Sequence, residues 1–66
     1  RENNIGENIK KYRTKQGLSQ EDFAKKSGVK YTTLTKIESG VIKKPSVLVM
    51  AKIAKALGVN IEDLIK

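Results

Sequence analysis

Tyr31, Thr32, Thr35, Lys36 and Ser39 fall within nine residues of one another. All five types can donate to, accept from or pack against a flat polar surface. If the stretch from about Lys30 to Ser39 is helical, a turn of about 100° per residue sets Leu34 and Ile37 within about 60° of each other and marks the inward side. Thr32 and Ser39 then point almost straight out, Thr35 and Lys36 sit on either shoulder, Tyr31 lies at the edge, and Thr33 and Glu38 fall on partly covered flanks. The outward face holds hydroxyls, an ammonium and a phenol, and no acid. Such groups can hydrogen-bond the edges of nucleic-acid bases, whereas a carboxylate there would repel phosphate. Taken singly, each residue is ordinary helix surface; the acid-free face as a whole points to a polyanion.

Charge points the same way. Lys and Arg number 14 against 7 Asp and Glu, a formal net charge of +7 on 66 residues. A surplus of this size attracts nucleic acid first, anionic membrane second and acidic proteins third, although a basic surface can also serve solubility alone. Its distribution is uneven: Lys30, Lys36, Lys43 and Lys44 lie between Val29 and Ser46 with only Glu38 opposing them, while Glu62 and Asp63 follow Asn60. No stretch combines a wide apolar face with a continuous basic one, so a membrane-surface role is the weaker reading.

The elements that hold this face are marked by caps. Asn4 followed by Glu7 has capping-box spacing, and Ile5, Ile9 and Tyr12 recur on one side until Gly17. Ser19, with Asp22 three residues on, opens a second helix that turns Phe23 and Ala24 inward and stops at Gly28. A third runs from about Lys30 to Ser39 and ends at Gly40. Ser46 follows the only proline and caps a fourth that reaches Leu57 before Gly58. Asn60 with Asp63 caps a short fifth, predicted to send Ile61, Leu64 and Ile65 to the core. No strand alternation or internal repeat interrupts this. The expectation is an all-α chain of five helices forming one domain over residues 1–66, small enough that packing must be efficient.

Catalysis lacks its parts. The chain has no Cys and no His, no metal-ligand spacing and no phosphate-cradling glycine loop. Ser19, Ser27, Ser39 and Ser46 are accounted for as caps or turn residues. No enzyme activity, cofactor, metal or small-molecule substrate is expected. With no signal peptide and no apolar run near 18 residues, a cytoplasmic location is expected.

Four separated motifs now carry a resemblance over nearly the whole chain: RTKQGLSQ from Arg13 to Gln20, FAKKSGV from Phe23 to Val29, IESG from Ile37 to Gly40, and ALGV from Ala56 to Val59. Together they resemble the DNA-binding domains of phage repressors and their bacterial relatives, the Cro and repressor type of helix-turn-helix known as XRE-like. The resemblance implies a compact five-helix, lambda-repressor-like fold whose helix-turn-helix is formed by helices two and three. Helix two would cross the backbone of double-stranded DNA and helix three would lie in its major groove. Tyr31, Thr32 and Lys36 match base-reading positions, with Thr35 and Lys30 secondary. Gln20 matches a position that bonds phosphate and braces the start of the recognition helix. Ser39, Gly40, Lys43, Lys44 and Ser46 match a turn and loop that approach a neighbouring phosphate. Arg13 and Glu38 match a structural salt bridge between helices one and three. The implied role is a transcriptional repressor or regulator, nucleoid-associated in a bacterial or phage setting.

Three departures bear on that picture. Lys30 opens helix three where Ser or Thr often supplies a capping oxygen, so the helix start is predicted to be uncapped, with Lys30 reaching phosphate or guanine instead. Tyr31 is bulkier than usual for its position and could pack on a thymine methyl or cover the seam between helices two and three. Leu48 and Val49 are read as outward positions of helix four, offering contact with a second copy on DNA. In an antitoxin or another protein-interaction module, a group that shares this fold, the same pair would face a different protein.

Overall fold

Serine oxygens and left-handed glycines set the helix boundaries. The computed structural model describes residues 5–66, which form α1 (Ile5–Lys15), α2 (Gln20–Ser27), α3 (Tyr31–Ser39), α4 (Val47–Leu57) and α5 (Ile61–Ile65), with no strand among them. The Asn4 half of the first capping box lies outside the described residues. Ser19 Oγ accepts from the Asp22 backbone N–H at 3.0 Å to open α2. Ser46 Oγ accepts from the Val49 N–H at 3.2 Å to open α4. At the start of α5 the Asn60 N–H donates to Asp63 Oδ2 at 3.0 Å. These bonds satisfy amides that a helix start leaves without partners.

All five helices send a side chain into one core. Ile9, Phe23, Leu34, Ile37, Ile53 and Leu64 are fully buried, and Val29, Met50, Ala54 and Leu57 close around them. Burying side chains of this size stabilises the fold by about 1.5–3 kcal/mol each before conformational entropy is subtracted. α1 packs on α3, α5 and α4, while α2 packs on α3 and α4, so α3 is clasped from two sides. Two amides reinforce α1's position: Asn8 Nδ2 donates to the Leu64 carbonyl at 2.8 Å and Gln16 Nε2 to the Leu57 carbonyl at 2.9 Å. Both acceptors belong to last turns, where carbonyls lack helical partners.

Two predicted facings are corrected. Val49 is half-buried against the core, and the exposed neighbour of Leu48 is Val47, at 78% against Leu48's 66%. The reason is rotational: Val49 lies about 40° from Ile53 and about 20° from Ala56, on the buried stripe of α4. Ile65, assigned to the core, is 56% exposed. α5 turns inward along Leu64, and Ile65 lies about 100° away.

Candidate nucleic-acid interface

The joint between α2 and α3 is built by three residues. Gly28 adopts φ 75°, and its N–H donates to the Ala24 carbonyl at 3.0 Å, a left-handed conformation that a β-carbon would strain. Buried Ser27 donates from Oγ to the Ala24 carbonyl at 3.4 Å and accepts from the Val29 N–H at 3.3 Å, so the reversal leaves its own polar groups paired. Val29 then plugs the core. α3 begins one residue later than expected because Lys30 is extended (φ −58°, ψ 140°) and its side chain makes no cap hydrogen bond.

Leu34 and Ile37 point inward, and the opposite side of α3 presents Thr32, Lys36 and Ser39 to solvent, with Lys30 exposed just before the helix and Tyr31 exposed at its first position. Thr35 is half-buried. Its hydroxyl donates to the Thr32 carbonyl at 2.9 Å, as Ser39 Oγ does to the Lys36 carbonyl at 3.2 Å. Both hydroxyl protons are therefore committed, leaving oxygen lone pairs for an incoming donor. Tyr31, at 47% exposure, lines a shallow groove with Glu21, Ala24, Lys25 and Val29. Its ring thus covers part of the α2/α3 seam while half of the residue faces solvent.

After Gly40 (φ 89°) the chain folds back, the Ile42 N–H donating to the Lys36 carbonyl at 3.0 Å. This places Lys43, Lys44 and Ser46 on the surface between α3 and α4. Ser46 uses its oxygen as the α4 cap, which leaves its O–H proton to donate.

Glu38, the one acid in this basic segment, is enclosed. Arg13 Nε donates to Oε2 at 2.8 Å and Nη2 to Oε1 at 3.0 Å, while Nη1 donates to the Leu18 carbonyl at 2.6 Å. The two side chains are only 9% and 3% exposed. A bidentate pair of this kind both neutralises the carboxylate and fixes its direction. Gln20 departs from expectation: its Nε2 donates to Glu38 Oε1 at 3.1 Å, bracing the last turn of α3 rather than the first. The Gly28 turn joins the end of α2 to the start of α3, so the first residue of α2 lies opposite the far end of α3.

Sequence reasoning missed Gly6, Asn8 and Gln16. Of these only Gly6 carried a signal, since a glycine within a helix is unfavourable unless something needs the space.

A short basic helix, held across a second by a glycine turn and relieved of its own acid by a buried arginine, defines a helix-turn-helix protein. The chain belongs to the helix-turn-helix family of XRE-like DNA-binding transcriptional regulators, whose pattern matches residues 9–64. It is 48% identical over 56 residues to an uncharacterized HTH-type transcriptional regulator of Methanocaldococcus jannaschii, covering 85% of this chain and 83% of that one. SinR of Bacillus subtilis is 34% identical over 61 residues, which span 92% of this chain and 55% of SinR. Among solved structures, SinR in complex with DNA superposes with a TM-score of 0.88 at 35% identity, covering 91% of this chain and 95% of that one. The restriction-modification controller protein C.AhdI from Aeromonas hydrophila gives 0.86 at 31% identity, covering 92% and 91%.

Proposed function

We propose that residues 1–66 act as one helix-turn-helix unit that reads double-stranded DNA by laying α3 in the major groove, in the service of transcriptional repression. The observation that carries this is the division of α3 into two sides, Leu34 and Ile37 buried and Thr32 and Lys36 exposed, with Glu38, the one acid of α3 itself, paired internally. SinR, a relative of the same fold, has been solved on DNA. In this reading Tyr31, Thr32 and Lys36 meet base edges, with Lys30 and Thr35 beside them. Lys43, Lys44, Ser46 and the Ser39/Gly40 turn approach phosphate. Gln20, bonded to Glu38, reaches phosphate only with donors left over from that bond. Reading DNA in this way requires no catalytic group and no cofactor.

Selection of bound duplexes from a random pool, repeated at two salt concentrations, tests the proposal. An enriched consensus, with log affinity falling linearly in log salt, is the expected result. A pool without enrichment would refute it. Two copies are proposed to bind together through Leu48 and Val47, whose exposure supports an apolar contact. A palindromic consensus, and a doubled protein mass on it by light scattering, are the expected signs. If the same residues instead serve a protein-interaction module such as an antitoxin, mutating them leaves duplex selection intact.

A further inference from the structure

We propose that Gly6 is a positioning residue for the recognition helix: its missing side chain sets the distance between α1 and the last turn of α3, and through that distance the accuracy of base reading. The inference rests on the DNA-reading role of α3 argued above.

A β-carbon at Gly6 would overlap the Ile37 carbonyl oxygen and stand 3.0 Å from the Glu38 carbonyl oxygen and 3.1 Å from Glu38 Cα. All three are backbone atoms, so no side-chain rotation can relieve the clash. The Ile37 carbonyl also accepts from the Gly40 N–H at 3.2 Å, which ties it into the turn that ends α3. Gly6 is the second residue of α1, where alanine would be the better helix former. The space is therefore what glycine supplies here.

Two of the contacts between α1 and the end of α3 matter here. One is Gly6; the other is Arg13, seven residues on, through its fork on Glu38. At 1.5 Å per residue the two points are separated by about 10 Å along α1. Both fall on the last turn of α3, the Gly6 contact on the backbone of Ile37 and Glu38 and the Arg13 contact on the Glu38 side chain, so together they hold that turn at a set distance from α1. Adding a methyl at Gly6 while the Arg13 fork holds would push one point outward by about 1 Å, the difference between overlap and ordinary contact. Displacing its last turn shifts the helix on its bed and moves its first turn, with Tyr31 and Thr32, off line by a comparable distance of about 1 Å. Hydrogen bonds to base edges are short and directional and weaken under such a displacement. Lysine contacts to phosphate, made on long flexible stems, accommodate it.

The test is Gly6→Ala, with Ile53→Val as a control that loosens the shared core from α4 and leaves the Gly6 contact itself unchanged. Affinity is measured for the selected site and for a scrambled duplex, at two salt concentrations. The expected result is that Gly6→Ala lowers the ratio of the two affinities by about tenfold, with scrambled-duplex affinity and salt slope unchanged, while Ile53→Val keeps the parental ratio. A folded Gly6→Ala chain with the parental ratio overturns the proposal. If that chain unfolds in buffer, the measurement is repeated in trimethylamine N-oxide, which favours the compact state; a chain still unfolded there makes Gly6 a purely architectural residue and also overturns it. A parent protein that selects no sequence is a different failure, one of the DNA-reading role itself.

Discussion

Gln20 and Arg13 share one oxygen of Glu38: Oε1 accepts from Gln20 Nε2 at 3.1 Å and from Arg13 Nη2 at 3.0 Å. Three helices thereby meet at a single carboxylate on the last turn of α3. The first turn has no comparable support, because Lys30 supplies no cap. The recognition helix is gripped from its far end, and its acid is spent on that grip.

Breaking this grip from different sides should give different losses. Glu38→Ala leaves Arg13 buried without its partner and is expected to destabilise by about 3–5 kcal/mol, a large part of what a chain this size possesses. Gln20→Ala removes one bond from a carboxylate that keeps two others, for a loss of about 1–2 kcal/mol. Urea denaturation at constant salt resolves the two. Equal losses would show that Gln20 carries as much of the clasp as Arg13.

On DNA, residues of α3 and of the following loop are expected to separate by phenotype. Lys36→Ala and Tyr31→Ala should relax base preference. Lys43→Ala should weaken binding to every duplex alike and reduce the salt slope by about one unit. Competition binding against a panel of single-base variants at two salt concentrations reads both. Unchanged preference in both α3 variants would remove that face from the groove.

Helix ends were legible because their causes are local. Ser19, Ser46, Gly28, Gly40 and Gly58 stand within a few residues of the amides and carbonyls they serve, and the structure uses them at the predicted places. The inward side of α3 was legible too, since Leu34 and Ile37 are its only large aliphatic residues. Phase was harder where a helix is apolar nearly all round. Val47, Leu48, Val49 and Met50 run consecutively, and the positions of α1, α2 and α5, which all pack on α4, decide which of them are covered. The links through Gly6, Asn8 and Gln16 join residues far apart in the chain, so no local pattern named their partners, although a glycine inside a helix marked Gly6 itself.

The corrected phase of α4 has a simple consequence for stability. Val49→Ala should destabilise by about 1–2 kcal/mol through lost burial, whereas Val47→Ala should change stability by less than about 0.5 kcal/mol. Thermal melts followed by circular dichroism distinguish them. Equal losses at the two positions would return Val49 to the surface.

Lys30 stands where a helix cap is missing, next to the face proposed to read DNA. Its backbone is already extended ahead of α3, with ψ 140°, but its side chain can donate only, so the free amides of the first turn gain nothing from it. A serine oxygen there could accept from the Thr33 N–H, as Ser19 and Ser46 do for their own helices. Lys30→Ser is therefore expected to stabilise the fold by about 1 kcal/mol, raising the Tm by about 4–8 °C for a domain of this length. The same change removes a cation beside the face proposed to read bases, so affinity should fall and the salt slope should drop by about one unit if Lys30 meets phosphate. A loss confined to one base pair, with the slope intact, would instead assign Lys30 to a base edge. A gain in Tm with no change on any duplex would leave Lys30 outside the interface altogether.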